Sequence, residues 1–101
     1  MFYIYILYSE TANKYYVGYS SNYERRLIEH NNSDRNTFTS KYRPWVVKVV
    51  FECSHLENEA IFCEQFIKKQ KSRKFLELLI DPSFNPSGVL AHLNRVTERT
   101  S

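Results

Sequence analysis

An arginine and a histidine lie one helical turn apart in a segment that is expected to be helical. The S-x-x-E capping pattern that begins at Ser21 predicts the start of this helix. At helical spacing Arg26 is the neighbour of His30, whereas Arg25 lies beside Glu29 and is explained as an exposed ion pair. Arg26 has no predicted partner in its own helix and projects from the edge of the inward face. A guanidinium next to an imidazole can bind an anion and move a proton, although a half-buried structural role explains His30 equally well.

A second candidate is a carboxylate at the border of an apolar helix face. Residues 54–70 predict a helix whose apolar arc includes Ala60 and Ile67, and Glu64 lies at the edge of this arc. A carboxylate near a core is costly unless it is paired or bound to a metal. Lys68, one turn later, offers the plain structural explanation, because an ion pair at this spacing has the favourable orientation.

Tyrosines supply a third residue type, with eight in this short chain. One carboxylate, together with phosphate oxygens and waters, is the usual way to hold Mg²⁺ beside a phosphate substrate. An arginine can stabilise the charge that develops on phosphate, and a tyrosine or histidine can move the proton of an attacking water. The combination suits hydrolysis of a phosphodiester, but the residue types alone do not specify it.

Three strands must position these side chains. Residues 2–8 and 15–20 are rich in aromatic and β-branched residues and predict an antiparallel hairpin. Residues 45–51 predict a third strand, which is the most apolar and is expected to be central. Gly18, inside the second strand, predicts a bulge or a close backbone approach.

Three helices complete the predicted fold. One follows the hairpin, a second begins at another capping pattern at Ser54, and a shorter one covers residues 73–80. The order ββα–β–αα predicts an α+β fold, in which a small three-stranded antiparallel sheet is flanked by helices. Residues 1–80 are expected to form the domain, and residues 81–101 are expected to form a C-terminal extension that is partly helical or frayed.

The composition is that of a single soluble domain. Of the 101 residues 43% are hydrophobic, which supports one modest core, and the net charge of +3 permits a polyanionic partner. The longest apolar run, residues 2–8, is far too short to span a bilayer, so no membrane partner is expected. Met1 is followed directly by this run, without a basic region or a cleavage site, so secretion is not expected either.

The two cysteines cannot form a disulfide framework, so the reducing cytoplasm is the expected location. A zinc site built from Cys53, His55 and Cys63 lacks the paired spacing and the fourth ligand of a structural site. Both cysteines are therefore expected to be small buried residues.

Several short segments carry more information as an ordered set than any one of them does alone. They are Tyr3-Ile4-Tyr5, Tyr16-Val17-Gly18, the pattern N-Y-E-R-R-L-x-x-H-N from Asn22, the loop S-K-Y-R-P-W from Ser40, and A-x-x-x-E-x-x-I-K from Ala60. This set resembles the GIY-YIG nuclease superfamily over roughly the first 80 residues. It is especially similar to the small stand-alone members, called URI-domain or UvrC-like endonucleases. The resemblance implies a GIY-YIG-like fold and cleavage of nucleic acid.

The resemblance also implies roles for individual residues. Tyr5 and Tyr16 match the family's tyrosines, which bind the water and phosphate of the site, and one of the two is the expected general base. Arg26 matches the catalytic arginine that contacts the scissile phosphate, and His30 matches a frequent active-site histidine. Glu64 matches the single metal-binding glutamate, which implies one divalent cofactor, Mg²⁺ or Mn²⁺.

Three further positions correspond to the GIY and YIG motifs that give the superfamily its name. Gly18 matches the glycine that lets backbone and substrate approach each other. Tyr3 stands where the first motif has its initial glycine, as in many stand-alone members, and Val17 conservatively replaces an isoleucine.

A run of cations without any acid supplies candidate contacts to a polyanion. Residues 66–76 contain five of them: Lys68, Lys69, Lys71, Arg73 and Lys74. Together with Lys41 they are expected to contact the nucleic-acid backbone, which gives salt-dependent binding without reading the sequence. A solvated helix face is the alternative explanation.

The sequence thus predicts a metal-dependent endonuclease that acts on nucleic acid, with DNA as the expected substrate. Two alternatives stay open. A nucleic-acid-binding module without useful catalysis would bind with a steep salt dependence and cut nothing with any divalent metal. A structural or protein-interaction domain would not bind nucleic acid even at low salt. The sequence does not reveal the substrate structure, the choice between DNA and RNA, the identity of the base tyrosine, or the oligomeric state.

Overall fold

The computed structural model describes residues 1–32 and 41–97, which form four strands and three α-helices. The strands are β1 (Phe2–Ser9), β2 (Lys14–Ser20), β3 (Val46–Ser54) and β4 (Asn94–Arg95). The helices are α1 (Tyr23–Asn32), α2 (Glu57–Lys69) and α3 (Arg73–Ile80), with a 3₁₀ turn at Gly88–Leu90. The predicted α+β class with an antiparallel sheet is confirmed. β4 adds a fourth strand, which was not predicted because its two polar residues show no strand pattern.

The strands pair in the order β2-β1-β3-β4, and every pair is antiparallel. Among the three predicted strands, β1 rather than β3 is the central one, because β2 and β3 flank it on either side. The central position matches its burial, since four consecutive residues, Ile4 to Leu7, are almost completely buried. A strand that is covered on both faces lacks the usual alternation of buried and exposed residues. β2 is the outer strand, and within residues 1–32 and 41–97 no strand pairs with its other edge, which we call the free edge.

Side chains of successive β1 residues point to opposite faces of the sheet and enter two different clusters. Ile4 and Ile6 join the larger cluster, which is built with residues of α2 and α3. Tyr5 and Leu7 join a smaller cluster with Trp45, and residues of α1 pack against it. We call these two clusters the aliphatic side and the tyrosine side.

The helix starts differ from the predicted capping boxes. Asn22 rather than Ser21 caps α1, because its Oδ1 accepts a hydrogen bond from the backbone N–H of Arg25 at 3.0 Å. Ser54 ends β3 and does not cap α2; its hydroxyl accepts a hydrogen bond from the backbone N–H of Leu56 at 3.0 Å. The capping boxes therefore predicted both helices correctly but placed the caps one position too early for α1 and two positions too early for α2.

The chain beyond α3 packs against the sheet. Leu90 and Leu93 are buried in the aliphatic side. The guanidinium of Arg95 donates hydrogen bonds to the backbone carbonyls of Leu79, Asp81 and Phe84 at 2.9–3.0 Å. The domain boundary at residue 80 stays a prediction.

None of the described helices has the length and hydropathy that crossing a membrane requires.

Candidate active site

A groove of about 440 Å³ brings together residues from four separate elements. Its lining includes five of the predicted site residues: Tyr5, Tyr16, Gly18, Arg26 and Glu64. Because β2 is the outer strand, groups from α1 on one face and α2 on the other can meet around its free edge. His30 is not in the lining and lies behind it, next to Tyr5.

Gly18 makes room for the ring of Tyr5. The two residues are directly paired in the uninterrupted β1–β2 register. A Cβ atom on Gly18 would lie 2.5 Å from both Cζ and the hydroxyl oxygen of Tyr5, closer than non-bonded atoms approach. The ring of Tyr5 therefore lies across β2 at this point, and only glycine allows it. The expected close approach is present, and the group that approaches the glycine is this ring.

The phenol of Tyr5 connects two other site residues. Its hydroxyl lies 3.1 Å from Nε2 of His30 and also forms a side-chain hydrogen bond with Arg26. Burial raises the pKa of Tyr5 to about 12, although the hydrogen bond to Arg26 acts in the opposite direction. Burial, and then the charge of Arg26, lowers the pKa of His30 to about 4. At neutral pH the pair is therefore a neutral phenol and a neutral imidazole.

Arg26 forms an ion pair with Glu29, a residue of its own helix. Nη1 of Arg26 lies 2.8 Å from Oε1 of Glu29, whereas Nε of Arg25 lies 3.7 Å from Oε2. The predicted Arg25–Glu29 ion pair is confirmed, whereas the expectation that Arg26 has no partner in its own helix was wrong, since i,i+3 neighbours on a helix are as close as i,i+4 neighbours. Burial alone would lower the pKa of Arg26, but hydrogen bonds to Glu29 and Tyr5 raise it, so the guanidinium stays charged. Its side chain is 39% exposed, which leaves it open to the groove.

Glu64 is the buried carboxylate of the groove, with 8% of the residue exposed. Its Oε1 lies 3.4 Å from Nζ of Lys68 and 3.2 Å from Nε2 of Gln65. The ion pair that offered the structural explanation is therefore present. Both contacts involve the same oxygen, so Oε2 can bind a cation without breaking either of them.

Tyr16 lies between the histidine and the lysine. Its ring makes an edge contact with the ring of His30, at 4.9 Å between centroids, and lies 6.5 Å from the ring of Tyr5. Nζ of Lys68 lies 5.6 Å from the centre of the same ring. This cation–π contact joins α2 to β2 at the free edge.

The predicted basic residues divide into two groups. Lys68, Lys71 and Arg73 line a second groove of about 550 Å³, which shares Tyr16 with the first groove. Lys41, Lys69 and Lys74 are exposed and lie outside both linings.

Arg73 is engaged by the protein itself. It donates hydrogen bonds to the backbone carbonyl of Asn13, at 2.8 Å, and to the side chain of the same residue. It also stacks on Tyr15, with its guanidinium carbon 4.9 Å from the ring centre, and pairs with Glu77 of its own helix. The contacts with Asn13 and Tyr15 fasten α3 to the β1–β2 turn and to the start of β2.

Sequence reasoning missed several residues of the two grooves. Lys14 lines the second groove, but an isolated lysine in a turn carries no signal. Tyr19 and Glu57 line the first groove, and the Tyr19 hydroxyl donates a hydrogen bond to Oε2 of Glu57 at 3.1 Å. Glu57 could have been considered, because it lies two turns before Glu64 in the same helix.

The donor set of the first groove suits a hard divalent cation. Mg²⁺ is usually held by one or two carboxylates, while phosphate oxygens and waters complete its shell. Glu64 supplies one buried carboxylate, and the open groove leaves space for the remaining oxygen ligands. The residues present therefore fit the ion that the sequence predicted.

A comparison with protein families agrees with this geometry. The family model described as GIY-YIG catalytic domain matches residues 1–76. The chain belongs to the GIY-YIG family. The match runs from β1 into α3, so all the residues that line the first groove lie within it. GIY-YIG domains are nuclease domains, generally metal-dependent, and their substrates are nucleic acids. No curated protein and no solved structure matches the chain significantly.

Proposed function

We propose that this GIY-YIG protein is a metal-dependent endonuclease that hydrolyses phosphodiester bonds, with DNA as its substrate. The main support is that Tyr5, Arg26 and Glu64 come from three different elements and line one open groove at the edge of β2. A nuclease needs a charged group for the phosphate, a carboxylate for the metal and a group that moves a proton. The groove contains all three kinds of group.

Arg26 is the residue that binds the scissile phosphate in this mechanism. Its hydrogen bonds to Glu29 and Tyr5 hold the guanidinium before substrate arrives, so little reorganisation is needed when negative charge develops. Glu64 is the ligand for Mg²⁺ or Mn²⁺, which acts as a Lewis acid on the phosphate when bound.

Tyr5 and His30 act together on the proton of the attacking water. A pKa of about 12 makes a free phenolate of Tyr5 costly at pH 7, by about 7 kcal/mol at 1.36 kcal/mol per pKa unit. No free phenolate has to form if the phenol passes its own proton to Nε2 of His30, 3.1 Å away, as it takes one from water. The lowered pKa of His30 leaves the imidazole neutral and able to accept this proton at pH 7, and it also makes the imidazole a weaker base than an ordinary histidine. Tyr16 positions the water or the phosphate beside this pair.

The second groove is proposed to bind the backbone of the nucleic acid on either side of the cut. Lys14, Lys68 and Lys71 line it, and it adjoins the first groove at Tyr16. Phosphate contacts of this kind add affinity without sequence specificity. The same groove favours the second candidate, a module that binds nucleic acid without cutting it.

A cytoplasmic location is consistent with the free thiols of Cys53 and Cys63.

A cleavage assay on linear and branched DNA and RNA, with Mg²⁺ or Mn²⁺, tests the proposal. The parent protein should cut at least one substrate, and Glu64→Gln should lose about 10²–10³-fold or more of the rate while keeping the fold. Glu77→Gln is the matched control, because Glu77 is an exposed glutamate of α3 outside the groove. Equal cutting by a rigorously purified Glu64→Gln protein would refute the metal assignment. Binding without cutting under every condition would favour the second candidate.

A further inference from the structure

Two cysteines and a histidine from distant parts of the chain meet on the aliphatic side of the sheet. Cys53 lies near the end of β3, Cys63 lies in α2, and His92 lies between the 3₁₀ turn and β4. Nε2 of His92 is 3.6 Å from Sγ of Cys53 and 3.5 Å from Sγ of Cys63. All three ligand atoms lie within 4.8 Å of one another. Neither groove includes any of them in its lining.

We propose that Cys53, Cys63 and His92 form a binding site for Zn²⁺. The two S···N separations are those that a tetrahedral zinc ion requires. With Zn–S near 2.3 Å and Zn–N near 2.0–2.1 Å, two ligands of a tetrahedron are about 3.5–3.6 Å apart as S···N. The two observed S···N distances agree with this value.

The chemistry of the ligands favours a soft, thiophilic cation over the hard ion of the nuclease site. Two thiolates and an imidazole are typical zinc ligands, and the two negative charges neutralise Zn²⁺ within a largely buried cluster. Cys53 and Cys63 are buried, whereas His92 is exposed, so the fourth position can be taken by water from the solvent side.

Binding must release protons. Burial raises the pKa of Cys53 to about 12 and also raises the pKa of Cys63, so both thiols are protonated in the metal-free protein. One Zn²⁺ replaces two thiol protons, which pass to the buffer, while the neutral imidazole donates its lone pair.

The site would fasten the C-terminal segment to the rest of the fold. His92 precedes the buried Leu93 and the two-residue strand β4, which pairs with β3 over only two positions. A metal held by β3, α2 and this segment would add a further link between three parts of the chain that already pack together in the aliphatic side. The effect inferred is on stability, and it does not depend on the proposed nuclease activity.

Titration of the full-length, reduced protein with Co²⁺ and then Zn²⁺ tests the proposal. Co²⁺ should produce a thiolate charge-transfer band and the visible bands of a tetrahedral ion and should release two protons, and one equivalent of Zn²⁺ should then displace it and abolish the bands without further proton release. His92→Ala should weaken binding by more than about 100-fold, because loss of even an outer-shell partner costs about 10–100-fold. At a hundredfold excess over Kd, Zn²⁺ should raise the Tm of the parent by roughly 10 °C or more.

Two control variants separate this site from others. His55→Ala removes an exposed histidine two residues from Cys53 that is not part of the cluster, and it should bind Zn²⁺ as the parent does. Glu64→Gln removes the proposed nuclease ligand and should leave the cobalt spectrum unchanged. Because His92 is exposed, its replacement should not prevent folding, unlike replacement of a buried cysteine.

Some results would overturn the proposal. Absence of the charge-transfer band would mean that the close approach is only a hydrogen-bonded cluster of two thiols and an imidazole. Equal Zn²⁺ affinity in His92→Ala and the parent would exclude His92 as a ligand. A loss of two hydrogens by mass in place of metal uptake would indicate a Cys53–Cys63 disulfide instead.

Discussion

Tyr5 and Ile6 are adjacent in β1 and both are almost fully buried, yet they belong to two different interiors. Ile6 enters the aliphatic side, where Val49, Phe51 and Ile67 surround it with apolar groups. Tyr5 enters the tyrosine side, where its hydroxyl is held by His30 and Arg26. A buried aliphatic residue stabilises the fold by burial alone, whereas a buried phenol must keep its hydrogen bonds. The polar groups of the tyrosine side are therefore the better candidates for chemistry.

The largest expected effect of a substitution in the tyrosine side is on the rate of cleavage. Arg26→Ala should lower the cleavage rate by about 10²–10³-fold, because a preorganised charge on the phosphate is lost. Arg25→Ala is the matched control, since Arg25 is the preceding residue and lies farther from the same glutamate. It should change the rate by no more than about twofold. Single-turnover rates with saturating enzyme provide the measurement, and equal losses in the two variants would contradict the assignment.

A second effect concerns stability at acid pH. Burial and Arg26 lower the pKa of His30 from 6.5 to about 4, while Glu29 acts weakly in the opposite direction. Between these values the unfolded chain binds more protons than the folded one, so stability is lost as the pH falls from 6.5 towards 4. The loss attributable to His30 is on the order of 2–3 kcal/mol.

Urea unfolding of the parent, His30→Gln and His55→Gln between pH 7 and pH 4 measures this contribution. His55→Gln should follow the parent, because His55 is exposed. His30→Gln should show a weaker dependence on pH. Identical pH profiles for the parent and His30→Gln would mean that the tyrosine side does not keep His30 neutral.

A third effect is steric and belongs to the tyrosine side alone. Gly18→Ala should destabilise the protein by about 1–3 kcal/mol and reduce cleavage, because the new Cβ collides with the ring of Tyr5. Combining it with Tyr5→Leu should remove most of the steric cost, which a double-mutant cycle detects.

Gly88→Ala is the control for this steric effect. Gly88 has a φ of 63° and no atoms near the position of a Cβ, so alanine there adds backbone strain without a collision. The Gly88→Ala variant should cut as the parent does. Additive effects of Gly18→Ala and Tyr5→Leu would show that the ring does not impose the requirement for glycine.

The smallest expected effect is on binding of nucleic acid. Lys71→Ala should reduce the slope of log K against log salt by about 0.7–0.9, because one phosphate contact is lost. Lys74→Ala should leave the slope unchanged, since Lys74 lies outside both grooves. Fluorescence anisotropy with labelled DNA at several salt concentrations gives both slopes. A common decrease in the two variants would indicate that the basic stretch acts only through its overall charge.

Local sequence patterns predicted the helices and strands well, but they predicted less well which strands pair and which side chains contact each other. The apolar runs identified β1, β2 and β3, and helical spacing placed Arg26 beside His30. The same spacing correctly paired Arg25 with Glu29 but missed the i,i+3 contact of Arg26 with the same carboxylate, because periodicity alone does not distinguish the two partners. The strand β4 was not predicted, because its two residues become a strand only when tertiary packing brings them beside β3.

The site residues were predictable to the extent that their spacing resembled a known family. Helical spacing singled out Arg26 and Glu64, the resemblance added Tyr5 and Tyr16 and gave all four their roles, and all four line one groove. The histidine nearest to the two thiols was not predictable, because His92 lies 29 residues from Cys63 and 39 from Cys53. Sequence reasoning considered His55 instead, since it is adjacent to Cys53 in the chain.

The amino-acid sequence by itself determined the elements, their order and the residue types available for chemistry, since periodicity and capping act over a few residues. Only the tertiary structure decided that the ring of Tyr5 crosses β2 at Gly18, that α1 and α2 meet around the free edge, and that His92 reaches both cysteines. These contacts depend on how the two faces of the sheet are covered. Burial of apolar area drives that packing, and it acts between residues without regard to their separation along the chain.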